Sequence, residues 1–562
     1  MTSAMDDVQY DSHDFLLDPR QHIPPPTVLP EKHFLYHLHS VGGGSLPQAV
    51  RDTNGQFLCS PRRLRDICIH RLASEPVKLL QRVDHDLLPS NIFPLLLTEA
   101  ISLREPLTIE WTVSTWPMRY LRVYDIIPYD DLLEPGYMTQ PLSGHIKTSL
   151  ADCFVLGLLK LRPEANLRHI DFSGFGKDRK LSRELCRLPL LWMKPSERTV
   201  ETIHSNMTNT IDVSKDKVQR FLNRISVVYS NIDGDFLHGN QIDQITINID
   251  LQMTLDDVPL GLSLQSYSPF KFTCRRLWMR PIEDIGPQMS NIGHLLDKTV
   301  RILRNIKHMQ MMWLKQMLTH FECEDPAFSS DPSKVPDLLD LLNSLPSLQG
   351  LSLPECLDLS SRPKWVRDLN NTLRKMKRLK RLSLNYCNIK GQLHNIMDGV
   401  PHRLEFLGLK DCRLTSEDLQ FLSQWPGLNQ ICELNLSCNS DLSALGNCLL
   451  QMMTRMPRLA ALSVSYCSLP LSTLRLIATR AADCPALRSL SLQGYTPLEL
   501  TTTVDILEAC ARIPAIQKVL IFPEVYAFPG NNEWEREANK EQALHLGYSI
   551  MTSRGKSMVC LE

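Results

Sequence analysis

"LKRLSLNYC", residues 379–387, carries leucine at its first, fourth and sixth positions and cysteine at its ninth. The spacing recurs in "LQGLSLPEC", "LEFLGLKDC", "ICELNLSCN", "LAALSVSYC", "LRSLSLQGY" and "IQKVLIFPE". These stretches begin at Leu348, Leu404, Ile431, Leu459, Leu487 and Ile516, so successive repeats lie 25 to 31 residues apart. That is the L-x-x-L-x-L-x-x-[N/C] pattern of a leucine-rich repeat, held in register seven times over.

Strand alternation gives the pattern its physical meaning. In residues 379–387, Leu382 and Leu384 point into a core while Ser383 and Asn385 point away from it. One repeat cannot bury its leucines alone, so the array is the stable unit. The fold class expected is α/β: a leucine-rich-repeat solenoid, a horseshoe with a concave parallel sheet and convex helices drawn from spacers such as "TSEDLQFLSQWPG". Cys356, Cys387, Cys412 and Cys467 fill the ninth position, where Asn439 stands in another repeat. A site that accepts either residue needs a small side chain that satisfies turn backbone, so these thiols read as structural.

Outward from the repeats the chain divides further. Residues 1–57, with "DPRQHIPPPTVLP" and "VGGGSLP", read as a disordered tail. Residues 58–135 show short apolar helices punctuated by proline, a small N-terminal helical docking or capping region. Residues 136–345 read as diverged repeats with insertions, including a helix followed by a degenerate strand (Leu167, Ile170, Phe172), a helix in "KDKVQRFLNRISVVYS" and a strand in "DQITINIDLQM". Regular repeats fill 346–525, and 526–562 is expected to cap the open end.

Composition excludes several function classes. Lysine plus arginine number 61 against 62 acidic residues, a net charge of −1, so no bulk electrostatic argument favours direct nucleic-acid binding or a membrane surface. The N-terminal "MTSAMDDVQYDSHDFLLD" lacks the basic start and apolar core of a secretory signal, and no apolar run reaches the length of a membrane span. Sixteen scattered cysteines are then expected to be reduced thiols of a cytoplasmic or nuclear protein.

A catalytic or metal constellation is also missing from the pattern. "RGKS" at 554–557 ends like a phosphate-binding loop, but Ile550 occupies the position of its first glycine. His33 and His37 have i, i+4 spacing but stand in the proline- and glycine-rich tail with no third ligand. The basic run "LRKMKRLKRL" at 373–382 spaces Leu373, Met376 and Leu379 as a helix does, which makes it a solvated face entering the next repeat. No cofactor, no metal and no catalytic residue are expected.

One N-terminal stretch carries more information. In "RLRDICIHRL", residues 63–72, Leu64, Ile67, Cys68 and Leu72 fall at i, i+3, i+4 and i+8, a single apolar stripe on a helix. Residues 68 and 70 lie about 200° apart around such a helix, so His70 cannot activate the Cys68 thiol. The stripe is either a capping face buried on the first repeat or a face offered to a partner.

Leu64, Cys68 and Leu72 resemble the L-x-x-x-C-x-x-x-Φ core of the BC box, by which adaptors bind elongin B/C, with Arg63 departing from the small residue or proline that leads the motif. "LPSNIFPLL" resembles a cullin-2 box through Leu88, Pro89, Ile92 and Leu96. The larger pattern "SPRRL…LLPSNIFPLLLTEAI…TVSTWP", the strand "ITINIDL", the repeats and the ending "GKSMVCLE" are similar to the PRAME and leucine-rich repeat-containing protein 14 family, over roughly residues 60–562. That resemblance implies a non-enzymatic substrate-recognition adaptor of a cullin-2 RING ubiquitin ligase, with elongin B/C, cullin-2 and a RING subunit as partners. It also leaves open a non-ligase scaffold or transcriptional or signalling co-regulator. The outward strand residues are then the candidate substrate face: Lys380, Arg381, Ser383, Asn385, Lys410, Asp411, Asn435, Ser463, Ser465, Tyr466 and Gln493.

Overall fold

The computed structural model describes residues 50–51, 57–58, 64–75, 88–123 and most of 126–561. Its longer breaks are 128–136, 143–148, 176–179, 194–242 apart from scattered residues, 253–256, 280–317, 324–331 and 440–445. Arg63, Cys356, His33, His37 and most of the helix expected at 215–230 lie outside the described residues. The chain divides into two compact units between Thr273 and Cys274.

The N-terminal unit begins with two short strands, β1 (Val50–Arg51) and β2 (Phe57–Leu58), paired antiparallel. Helices α1 (Leu64–Ser74), α2 (Phe93–Leu103) and α3 (Pro106–Ser114) follow. Proline opens both α2 and α3 within the first turn, where its missing N–H removes no helical bond. Arg104 ends α2 in the left-handed conformation at φ 55°. The helices share an aromatic core, in which Phe93 stacks on Trp111 at 6.0 Å and meets Trp116 edge-on at 6.4 Å.

β3 (Tyr120–Arg122), β4 (His169–Phe172) and β5 (Ile245–Gln252) then form parallel pairs, aligning Leu121, Ile170 and Ile247. Between them α4 (Leu150–Leu159) starts at a capping box of Ser149 and Asp152. Short helices α5 (Leu181–Leu185), α6 (Leu188–Met193) and α7 (Asp257–Leu264) complete the unit. Leu167, Ile170 and Phe172 are all buried, as the degenerate strand requires.

The C-terminal unit is a run of parallel strands joined by right-sized helical crossovers. β6 (Phe270–Met279) contributes Arg276–Met279, which pair with β7 (His320–Cys323). There follow α8 (Val335–Asn343), β8 (Gly350–Ser352), α9 (Pro363–Lys375), β9 (Arg381–Ser383), α10 (Leu393–Met397), β10 (Phe406–Gly408) and α11 (Ser416–Gln424). Then come β11 (Glu433–Asn435), α12 (Gly446–Thr454), β12 (Ala461–Ser463), α13 (Leu471–Ala481), β13 (Ser489–Ser491), α14 (Leu500–Ala511) and β14 (Lys518–Leu520). The fourth-position residues align strand to strand: Leu351, Leu382, Leu407, Leu434, Leu462, Leu490 and Val519 form one buried file. This is the leucine-rich-repeat architecture expected from the sequence.

Repeats are also stitched by polar side chains. Asp418 caps α11 with Thr415 and accepts hydrogen bonds from the Gly391 and Leu393 amides of the preceding repeat at 2.9 and 3.1 Å. At the far end, α15 (Glu533–Ser553) is capped by Asn532, and β15 (Cys560–Leu561) adds a final parallel pair to β14. Met551 and Leu561 are buried there, closing a leucine file that would otherwise face solvent. No helix among the described residues is long and apolar enough to cross a membrane.

Candidate protein-docking surfaces

Helix α1 has apolar residues on two faces, and only one of them packs. Ile69 and Ala73 are buried, with Leu72 half-buried beside them. His70 Nδ1 meets Glu99 Oε1 of α2 at 2.6 Å, and Thr108 of α3 donates to the Ala73 carbonyl at 3.0 Å. These ties fix the rotation of α1. The face bearing Leu64, Ile67 and Cys68 therefore points to solvent: Leu64 is 77% exposed, Ile67 50%, and the Cys68 thiol is exposed. The burial expected of a capping helix falls on Ile69 and Ala73 instead, and of the stripe only Leu72 turns partly inward. His70 engages Glu99 and not Cys68, in keeping with their angular separation on the helix.

The cullin-2-box residues are divided by the turn that precedes α2. Pro89 is exposed, Leu88 and Ile92 are half-buried, and Leu96 is fully buried. As Leu96 lies in the helical core, a partner at this surface meets Leu88, Pro89 and Ile92 but not Leu96.

The proposed concave face needs a larger correction. Alternation predicts that every residue flanking the inward leucines is exposed, yet Arg381, Ser383, Asn385, Asn435, Ser463 and Ser465 are buried. Parallel strands only about 4.8 Å apart let a long side chain cross its neighbour and let small ones sink between them. Arg381 shows the first effect: its Nη1 meets Glu433 Oε1 at 3.1 Å, two strands away, while the guanidinium lies 4.2 Å from the centre of the Phe406 ring. Burial pulls the Arg381 guanidinium below its ordinary pKa, and Glu433 opposes that shift.

The small residues show the second effect. Asn385 Oδ1 accepts from the Lys410 amide at 2.8 Å, and the hydroxyls of Ser437 and Ser463, and of Ser465 and Ser491, pair at 2.5 Å. These side chains join repeats rather than wait for a ligand.

Exposure moves instead to the edge at the carboxyl ends of the strands. The eighth position of four repeats (Tyr386, Asp411, Cys438 and Tyr466) adopts left-handed φ values of 49 to 61° without glycine. That backbone turns the side chains outward at the rim. Lys410 Nζ lies 4.9 Å from the centre of the Tyr386 ring, and the Tyr466 and Tyr495 rings meet at 5.1 Å. Of the candidate face, Lys410, Asp411, Tyr466 and Gln493 border this edge and are at least partly exposed, as is Lys380 at the other end of its strand. Tyr386, equivalent to Asp411 and Tyr466, and Tyr495 at the ninth position of its repeat lie outside the candidate face, because strand alternation carries no information about side chains in the turn beyond the strand.

The ninth-position cysteines are built into turns. Cys387 Sγ donates to the Pro354 carbonyl at 3.3 Å, Cys412 Sγ to that of Leu384 at 3.0 Å, and Cys467 Sγ to that of Leu436 at 3.2 Å. Asn439 does the same with its amide, reaching the Leu409 carbonyl at 2.8 Å, and its Oδ1 accepts from the Cys412 and Leu414 amides. Burial pushes the Cys467 thiol up to about 12. The equivalence of cysteine and asparagine thus rests on donation to the preceding repeat.

Residues 336–539, which hold the best-formed repeats, match the PRAME C-terminal domain. The chain is also 21% identical over 483 residues to leucine-rich repeat-containing protein 14 of Xenopus laevis, across 83% of this chain and 87% of that protein. Over its repeats the chain is similar to the PRAME family. That similarity, together with a repeat array rich in shaped surface, supports a protein–protein interaction role for the leucine-rich repeats.

Proposed function

We propose that the chain is the substrate-recognition adaptor of a cullin-2 RING ubiquitin ligase, working in the cytoplasm or nucleus. Leu64, Ile67 and Cys68 of α1 enter the apolar groove of elongin C, with Leu72 at the inner margin of the contact. Pro89, Leu88 and Ile92 favour cullin-2, the repeats select the protein substrate, and ubiquitin transfer belongs to the recruited subunits. The chain itself is then an adaptor and not an enzyme.

The observation that carries this reading is the orientation of α1. A helix anchored by Ile69, Ala73 and the His70–Glu99 pair still leaves three apolar side chains in water. Amphipathic helices that dock in grooves present anchors in this way, one turn apart on a single face. Expression of the full chain with elongin B/C and purification on a chain-borne tag tests it. Wild type retains elongin, and Leu64→Ala combined with Cys68→Phe loses it while melting as wild type does. Failure of wild type to retain elongin replaces this reading with that of a non-ligase scaffold.

A further inference from the structure

We propose that the edge of the repeat unit at the amino ends of its strands is a docking surface for an acidic, carboxylate-rich protein segment. The residue just before the first repeat leucine is Arg378, Arg403 and Arg458 in three repeats and Gln430 in the one between. Lys377 precedes Arg378, Lys380 and Arg488 follow their leucines, and Arg455 and Arg512 stand four residues before Leu459 and Ile516. All eight cations are exposed. In a chain of net charge −1, their collection on one edge is a segregation and not a reflection of composition.

The acids on this edge are already engaged. Glu405 pairs with Lys380 at 2.9 Å and Asp483 with Arg480 at 3.4 Å. Among the described residues, no carboxylate pairs with Lys377, Arg378, Arg403, Arg455, Arg458 or Arg512. Arg458 Nη1 donates to Gln430 Oε1 at 2.9 Å, which steadies the guanidinium along the file.

Helix dipoles account for part of the pattern. Arg455 and Arg512 follow the last turns of α12 and α14, where a cation is favourable. Arg378, Arg403 and Arg458 lie beyond the helices, immediately before the strands, where the dipole gives no reason for them.

Chemistry chooses the partner. A guanidinium binds carboxylate or phosphate through two parallel bonds. Single-stranded nucleic acid also needs exposed rings for stacking, but His402, beside Arg403, is turned edge-on to the buried Trp425 at 5.9 Å. A single file of charge suits an extended polypeptide better. From β9 to β14 the edge crosses successive paired strands, about 24 Å in all at ~4.8 Å per step. Seven or eight extended residues, at roughly 3.3 Å each, cover that length. The inference does not depend on elongin binding.

Fluorescence anisotropy with the full chain tests it, using a peptide of alternating glutamate and serine long enough to span the edge. A glutamine-for-glutamate peptide and a single-stranded oligonucleotide of equal length serve as comparisons. Wild type binds the acidic peptide in preference to both. Arg378→Ala, Arg403→Ala and Arg458→Ala together weaken it at least about tenfold, against less than about twofold for Lys364→Ala, Arg367→Ala and Lys390→Ala, an equal charge change elsewhere. Carbodiimide also joins the peptide to Lys377 or Lys380 of wild type, a readout that needs no variant to fold. Absence of peptide binding, equal loss in both triple variants, or tighter oligonucleotide binding overturns the proposal. So does cross-linking of those lysines to Asp6, Asp7, Asp11 or Asp14, which makes the occupant the chain's own acidic N-terminal stretch.

Discussion

Arg381 and Glu433 meet at 3.1 Å across the whole of the strand between them, with Phe406 of that strand beneath the guanidinium. Both side chains are largely buried. Removing one partner strands the other charge in a poorly solvated place, which typically costs about 3–5 kcal/mol. Glu433→Ala and Arg381→Ala are therefore each strongly destabilising in urea unfolding. Arg381→Met with Glu433→Leu recovers most of the loss, because the pair's attraction only offsets its own desolvation. A double variant no better than either single would show that the bridge contributes stability outright.

The contrast between this pair and the leucine file shows what periodicity can reveal. Leu382, Leu407 and Leu434 were legible because each repeat restates the same inward position, and burial there follows from the period alone. The fate of Arg381 depends on the residue two repeats away, a relationship that no single repeat contains. Helix α1 was ambiguous for a related reason. "LRDICIHRLAS" has Leu64, Ile67 and Cys68 on one side and Ile69 and Ala73 on the other, and only the position of α2 decides which face packs.

Asn439 offers a test of the turn chemistry. Its amide reaches the Leu409 and Leu436 carbonyls, and its Oδ1 satisfies two buried backbone amides. Asn439→Ala removes the bonds to the Leu409 carbonyl and to both amides, while Leu436 keeps the Cys467 thiol, a loss of at least about 2 kcal/mol at roughly 1–3 kcal/mol per buried polar group. Asn439→Cys keeps one donation to the preceding repeat, as Cys412 does toward Leu384, and falls between wild type and alanine. Thermal melts of the three proteins check the order.

Two glycines separate forgiving from unforgiving close approach. A Cβ at Gly408 meets the Asn385 Oδ1 at 2.8 Å, and a Cβ at Gly399 runs into the Asn370 carbonyl oxygen more closely still. A side-chain amide can swing aside by giving up its bond to Lys410, whereas a helix carbonyl cannot move alone. Gly408→Ala accordingly costs about 1–2 kcal/mol and Gly399→Ala more, the latter shifting the α9 and α10 packing. Equal melting temperatures for the two variants would contradict this ranking.

The buried thiols make a pH-dependent contribution. Burial raises Cys467 and Cys510 from 9.0 to about 12, so folding holds both neutral. Their contribution is complete below the unfolded value and is lost as pH rises from about 9 toward 12, since the unfolded chain ionises first. The stability difference between wild type and Cys510→Ala should shrink across that interval in urea titrations. With native protein near neutral pH, a thiol reagent labels the exposed Cys68 rapidly, while Cys467 and Cys510 react only on unfolding.

The two faces of α1 separate packing from docking. Ile69→Ala removes a buried side chain from the α1–α2 contact and costs about 2–4 kcal/mol, because the helix cannot collapse fully into the gap. Leu64→Glu and Ile67→Glu place charge where water already reaches, so each changes stability by no more than about 0.5 kcal/mol. His70→Ala loses the tie to Glu99 and frees the rotation of α1 without touching the outer face. Partner binding should follow the opposite order, abolished by either glutamate variant and only weakened by His70→Ala, which keeps all three anchors but holds them less firmly. Melting curves beside elongin pull-downs on the same four variants decide it, and a glutamate variant that unfolds the N-terminal unit would mean that the outer face of α1 is packed after all.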